Sequence, residues 1–259
     1  MSPIRFRQAL VRRPSSSVVD GLRVVDGPDP DFGRFLAEHA GYCDALRSAG
    51  VTVEVLDELP AHPDGVFVED AALCIGTHAV VLRPGAPSRR AEADAIAPDL
   101  ASRFATVERV ERGFVDGGDV LVTADEVLVG LSSRTDAVGA AALRDALAPT
   151  GVAVRVVETP ADVLHFKTDC AVIDDRTVFA TARLATSGCF DGYEVLVGPP
   201  GEEAAANLIR VNDVVITRAG FPATAAALVD AGYEVVAVDA DEAARIDGGL
   251  SCMSLRCNW

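Results

Sequence analysis

Three residue types in this chain can make a nucleophilic site. They are Cys252 in "GGLSCMSLRCNW", His165 in "VLHFKTDCAV" and Asp116 in "FVDGGDVLV". A thiol, an imidazole and a carboxylate that meet in space form a nucleophile, its general acid/base and the acid that orients it. Each has a blander reading. Cys252 could be a small buried thiol, or half of a metal or disulfide pair with Cys257. A lone histidine between Leu164 and Phe166 is more often a satisfied core residue. Acid–glycine strings such as "DGGD" are common turns.

Charged residues near apolar runs add a second layer. "DGVFVEDAA" carries Asp64, Glu69 and Asp70 into an apolar strand, where acids are costly to bury unless they meet cations or donors. Either they end a solvated turn or they recognise a cation. Arg89 in "PSRRAEA" and Arg134 in "GLSSRT" suit bidentate capture of a carboxylate. Standing alone, each would serve equally as a surface ion pair.

What would position these side chains is a repeat. "EDAALCIGTHAVVLRP", "GGDVLVTADEVLVGLS", "KTDCAVIDDRTVFATA" and "AANLIRVNDVVITRAG" share a small or polar lead-in followed by two apolar runs around a turn. Their lead residues are Asp70, Asp119, Asp169 and Asn207. Each pair of runs reads as a strand hairpin. The tail from Gly248 begins like a fifth unit, and the N-terminal "RQALVRRP" could supply its missing strand and close a ring. Helical periodicity in "DFGRFLAEHAGYCDALRSAGV", "RTDAVGAAALRDALAPTGV" and "PATAAALVDAGY" is followed in each case by another strand-like run. The unit is therefore strand, turn, strand, helix, strand. A closed ring of such units leaves no sheet edge exposed and gathers the lead-ins on one axis, bringing Asp70, Asp116, His165 and Cys252 together.

Composition limits the partners. With 49% hydrophobic and 24% charged residues, the 259-residue chain has an ordinary globular balance and enough length for a sizeable core. A formal charge of −16 argues against nucleic acid and anionic membranes, both of which call for basic patches. No segment is long and apolar enough for a membrane span, and the N-terminal run lacks the apolar core of a secretory signal. Six scattered cysteines without a CxxC pair predict free thiols in a reducing cytoplasm. The four histidines show no ligand spacing, so no metal or other cofactor is expected.

Taken in order, "DGVFVEDAA", "DGGDVLV", "GLSSRT", "LHFKTD" and "DGGLSCMSL" resemble the dimethylarginine dimethylaminohydrolases of the guanidino-group modifying, or pentein, superfamily. The resemblance runs from about Leu22 to Arg256 and implies an α/β architecture, a five-fold pseudosymmetric αβ propeller, with residues 1–259 as one catalytic domain. It implies Cys252 as nucleophile, His165 as general acid/base, and Asp116, standing where many bacterial members have glutamate, as the orienting acid. Asp70 and Glu69 fall at the guanidinium end, and Arg89 and Arg134 on the α-carboxylate, although the sequence does not choose between Arg89 and Arg90. Leu22 and Ile246 match positions whose carbonyls receive the α-amino group, and Asp64 an acid lining that site. The activity implied is hydrolysis of Nω-methylated L-arginine to citrulline, with a small molecule as partner and homodimerisation left open. An arginine deiminase, an amidinotransferase and a non-catalytic binding propeller are the rival expectations; the first two generally come as longer chains.

Overall fold

A computed structural model describes residues 2–259. The chain opens with β1 (Gln8–Arg12), α1 (Phe32–Ser48) and β2 (Thr52–Leu56). Four units follow: β3 (Ala72–Ile75), β4 (His78–Val81), α2 (Arg90–Ala101) and β5 (Thr106–Arg109); β6 (Val120–Val122), β7 (Glu126–Leu131), α3 (Ala137–Leu147) and β8 (Ala153–Glu158); β9 (Cys170–Val172), β10 (Thr177–Ala180), α4 (Ala182–Ala185) and β11 (Glu194–Val197); β12 (Ile209–Val211), β13 (Val214–Arg218), α5 (Pro222–Asp230) and β14 (Glu234–Val238). A short α6 (Asp241–Ala244) leads to β15 (Ser254–Cys257).

These strands form five three-stranded sheets among the described residues. In each, an antiparallel hairpin is followed by a helical crossover to a third strand parallel to the second. The fifth sheet is completed as the repeat predicts: β1 pairs antiparallel with β15, Leu10 opposite Leu255, and parallel with β2. The architecture is the expected five-fold pseudosymmetric αβ propeller.

Solvent decides the order within a sheet. The third strands, such as β2 and β14, alternate exposed and half-buried residues and face outward, whereas the central β4 is wholly buried. The first strands β3, β6, β9, β12 and β15 all line a cavity of about 650 Å³, which therefore lies on the axis. Helices cover the outside. Asp31 caps α1 by accepting from the Arg34 amide at 2.8 Å, and Gly50, at φ +85°, follows its end. Inside α1, Tyr42 donates to the Leu250 carbonyl at 2.8 Å, anchoring the tail.

The helix α2 is absent from the periodic reading. Its apolar residues are mostly alanine and Pro98 lies inside it, yet it buries Ala93, Ile96 and Leu100. The tail is held rather than frayed. Leu255 and Cys257 are buried, and Trp259 packs edge-on to Phe104 at 5.5 Å.

Candidate active site

Ahead of the first strands sit short 3-10 turns: Val68–Ala71 before β3, Gly117–Asp119 before β6 and Phe166–Thr168 before β9. Asp70 lies in the first turn, while Asp116 and His165 are the residues that open the next two. Cys252 occupies the matching place before β15. The axis thus collects four side chains that are far apart in sequence.

Close backbone approach makes this possible. A Cβ on Gly117 would lie 1.8 Å from the Glu69 carbonyl oxygen, and one on Gly249 2.3 Å from the Asn207 side chain. A side chain on Gly117 would have to move the turn that carries Glu69, and one on Gly249 would displace the Asn207 side chain.

Asp116 is fully buried. One carboxylate oxygen accepts the Gly85 amide at 2.7 Å and the other meets His165 Nε2 at 3.0 Å. Burial opposes charge on His165, but the bond to Asp116 and the fields of Asp70 and Asp119 outweigh it and raise its pKa to about 9. At neutral pH the ring is an imidazolium. Cys252 is pushed the other way, to about 11, first by burial and then by the negative charges of Asp70 and Glu69. It is a thiol at neutral pH, with Asn207 Nδ2 3.8 Å from its Sγ.

Asp70 is held by Arg89 on one oxygen and by the Gly118 amide, at 2.9 Å, on the other. Burial works against its charge, but Arg89 and His165 hold its carboxyl below the usual range. Atoms of Asp70, Asp116 and His165 lie within 4.8 Å of one another, close enough to share a metal ion. Their oxygens are already engaged by Arg89, Gly118, Gly85 and His165, so the group reads as a closed hydrogen-bonded network.

Asp64, Asp70, Arg89, Arg134, His165, Cys252, Leu22 and Ile246 line one narrow cavity of about 30 Å³. Asp64 accepts the Leu22 amide at 3.0 Å. Arg134 reaches in with a half-buried guanidinium 4.0 Å from Asp116. Asp116 itself stands behind His165.

Two residues differ from expectation. Glu69 is not brought to this cavity. Successive side chains of a 3-10 turn diverge by about 120°, and Glu69 points toward the axial cavity, where it pairs with Lys167 at 2.7 Å and Arg256 at 3.0 Å. Arg89, not Arg90, lines the site, since Arg90 lies over the Phe114 ring. The Arg89 guanidinium is, however, engaged by Asp70, Glu92 and the carbonyls of Asp64 and Phe67. Arg134 is the less occupied of the two arginines.

Three further residues shape the site. Asp247 lines the cavity and accepts the Val24 amide at 2.5 Å, pinning the loop that carries Leu22. Asp119 binds Ser132, Thr135 and the Phe166 amide, tying the Arg134 loop to the His165 turn. Asn207 accepts the Ser251 amide at 2.9 Å and flanks the thiol. Asp119 and Asn207 are repeat lead residues, and Asp247 opens "DGGLSCMSL", so each had a signal in the sequence but no assigned role.

The geometry has close relatives. The family model "N,N dimethylarginine dimethylhydrolase, eukaryotic" matches residues 32–183. A protein named N(G),N(G)-dimethylarginine dimethylaminohydrolase, from Pseudomonas aeruginosa, is 38% identical over 97% of this chain and 99% of its own. The chain belongs to the dimethylarginine dimethylaminohydrolase family. Solved structures agree with that membership. A cysteine-to-serine mutant of the Pseudomonas aeruginosa family member, complexed with citrulline, superposes with TM-score 0.94 at 36% identity, covering 98% of this chain and all of the other. A histidine-to-glycine variant, captured as an adduct with S-methyl-L-thiocitrulline, gives 0.93 at 37% identity over 97% and 99%.

Proposed function

We propose that the protein hydrolyses Nω-methylated L-arginine to L-citrulline and methylamine or dimethylamine, with the chain acting as one catalytic unit. The observation that carries this reading is Cys252, a protonated His165 backed by Asp116, and the ionised Asp70 converging on one cavity. A guanidinium is a poor electrophile because its charge is delocalised, so the site must keep it protonated. Asp70 does so by pairing with its N–H groups.

Asp70 already holds a cation, Arg89. The substrate guanidinium takes the place of Arg89 on that carboxylate, leaving Arg89 N–H groups to join Arg134 on the substrate α-carboxylate. Leu22 and Ile246 offer their carbonyls to the α-amino group, beside Asp64. The narrow cavity has no room for the substrate until the loop at Leu22 moves away from Asp247.

The cation beside Cys252 counters the negative field of Asp70 and lowers the thiol pKa, so the thiol releases its proton to solvent. The thiolate forms a C–S bond to the guanidinium carbon, and the positive charge is discharged, so this step needs no oxyanion hole. His165 gives its proton to the departing alkylamine as the C–N bond breaks, leaving a thiouronium on Cys252. Neutral His165 then takes a proton from water, whose oxygen adds to the same carbon. The new hydroxyl gives up its proton as the C–S bond breaks, so neutral citrulline leaves and the Cys252 sulfur is restored. Free thiols at all six cysteines support a reducing, cytoplasmic setting, and no helix is long and apolar enough to cross a membrane among the described residues.

Incubation with asymmetric dimethylarginine, monomethylarginine and arginine, followed by citrulline colorimetry, tests the reading. Citrulline from the methylated substrates, with stoichiometric alkylamine, is expected. Turnover of arginine alone, with ammonia released, would make the protein a deiminase instead.

A further inference from the structure

The axial cavity is separate from the catalytic one. Glu69 and Ser251 line it, whereas their chain neighbours Asp70 and Cys252 line the small cavity. At about 650 Å³ it lies within the size range of small-molecule sites, roughly 300–1,000 Å³.

Its charge is opposite to that of the molecule. The chain carries a formal −16, yet the cavity is lined by Arg5, Arg7, Lys167, Arg210 and Arg256 against one carboxylate, Glu69. Lys167 and Arg256 both bind Glu69 Oε1, so two cations share one acid. Arg5 pairs with the exposed Asp213 at 2.7 Å. Arg210 has neutral partners, the carbonyls of Asn212 at 2.9 Å and Ile173 at 3.4 Å and the Tyr233 ring. Arg7 is exposed and its side chain has no hydrogen-bond or ion-pair partner among the described residues, while its amide donates to Asn258 at 2.9 Å.

Arg7 and Arg210 both line this cavity, and the backbone beside Arg7 is tied to the turn beside Arg210. The Phe6 amide donates to Asn212 Oδ1 at 3.0 Å, and Arg210 Nε donates to the Asn212 carbonyl. Apolar side chains line it as well: Leu73, Val122, Val172 and Leu255 from four of the first strands, interspersed with Ser251, Ser254 and Asn212. An excess of cations beside apolar side chains, walled by all five sheets, suits an amphipathic anion. Arginine forks suit planar oxyanions such as carboxylate, phosphate and sulfonate.

We propose that the axial cavity is a second ligand site, taking a small organic anion with its oxyanion head on Arg7 and Arg210 and its apolar body between the first strands. The site is independent of the catalytic cavity, which selects a cation.

Anilinonaphthalene sulfonate is the probe, followed by fluorescence on the folded full-length protein. One saturable site per chain is expected, undisturbed by saturating citrulline. Phenyl phosphate or benzoate should displace the probe, and whichever competes better names the head group; uncharged benzyl alcohol should not. Arg7→Gln, with citrulline formation unchanged, should weaken the probe about tenfold, as loss of a charge-assisted contact would, and Arg7→Lys should recover part of that loss. Arg7→Gln/Arg210→Gln should weaken it further, and the single variant carries the test if the double variant does not fold. Equal binding in Arg7→Gln, displacement by citrulline, or no saturable site would each overturn the proposal.

Discussion

Cys252 departs from a preformed thiolate–imidazolium pair at neutral pH, whereas His165 already carries its proton. The thiol is raised to about 11 and the imidazole to about 9. In the free protein, alkylation of Cys252 by iodoacetamide should therefore be slow at pH 7 and accelerate into the alkaline range. An unreactive guanidinium ligand should speed it at neutral pH. Rapid alkylation at pH 7 without ligand would contradict the substrate-assisted ionisation proposed above. His165 has the converse dependence. Its folded value lies above the ordinary 6.5, so the protonated ring stabilises the fold below that value, and the contribution is lost as pH rises toward about 9. As general acid it should make kcat fall above about pH 9. Asp116→Asn should lower kcat by about 10²-fold or more and move that alkaline limb downward, a shift that a purely structural role would not produce.

The residues legible in the sequence were those whose lead-in position and chemical type agreed. Cys252, His165, Asp116 and Asp70 each interrupt an apolar run where the repeat turns toward the axis, so their convergence follows from the repeat alone. Glu69 shows the limit of that logic. Its adjacency to Asp70 suggested a shared target, but the tight turn sends the two side chains into different cavities. The partner of Arg89 was equally out of reach, because Asp70 stands nineteen positions away in the chain and only the fold brings them into contact.

Among the elements, the 3-10 turns hold the chemistry in place. Gly117 packs against the backbone of Glu69 so tightly that Gly117→Ala must displace one turn or the other. This variant should lose about 1–3 kcal/mol of stability, read by thermal or denaturant unfolding, and should lose activity as well, since Asp116 opens the same turn. Unchanged stability would show that the turns have slack. Strand hairpins were readable because Val- and Ile-rich runs flank short turns. The helix α2 was not, because its buried stripe is only Ala93, Ile96 and Leu100 and an internal proline argues against a helix.

For the whole molecule, ring closure by β1 and β15 turns a chain end into a catalytic wall. Leu10 and Leu255 face each other across that seam and are buried. Leu255→Ala should destabilise by about 2–5 kcal/mol, and Cys252, three residues upstream, should lose order with it; denaturant unfolding together with kcat reads both effects. A variant that unfolds earlier but keeps full kcat would separate closure from catalysis. The ring was legible because the tail starts like a fifth unit and the N-terminus offers one spare strand. The axial cavity was not, since its wall takes a few residues from every unit and no local stretch announces it.

The central claim is covalent catalysis by Cys252 on a methylated guanidinium. Its most direct test is acid quenching during turnover of asymmetric dimethylarginine, then intact-mass measurement and peptide mapping. The expected result is a transient adduct equal in mass to the substrate less dimethylamine, on the peptide containing Cys252 and absent from Cys252→Ser, which also makes no citrulline. Citrulline formation by Cys252→Ser, or an adduct on another residue, would contradict the account.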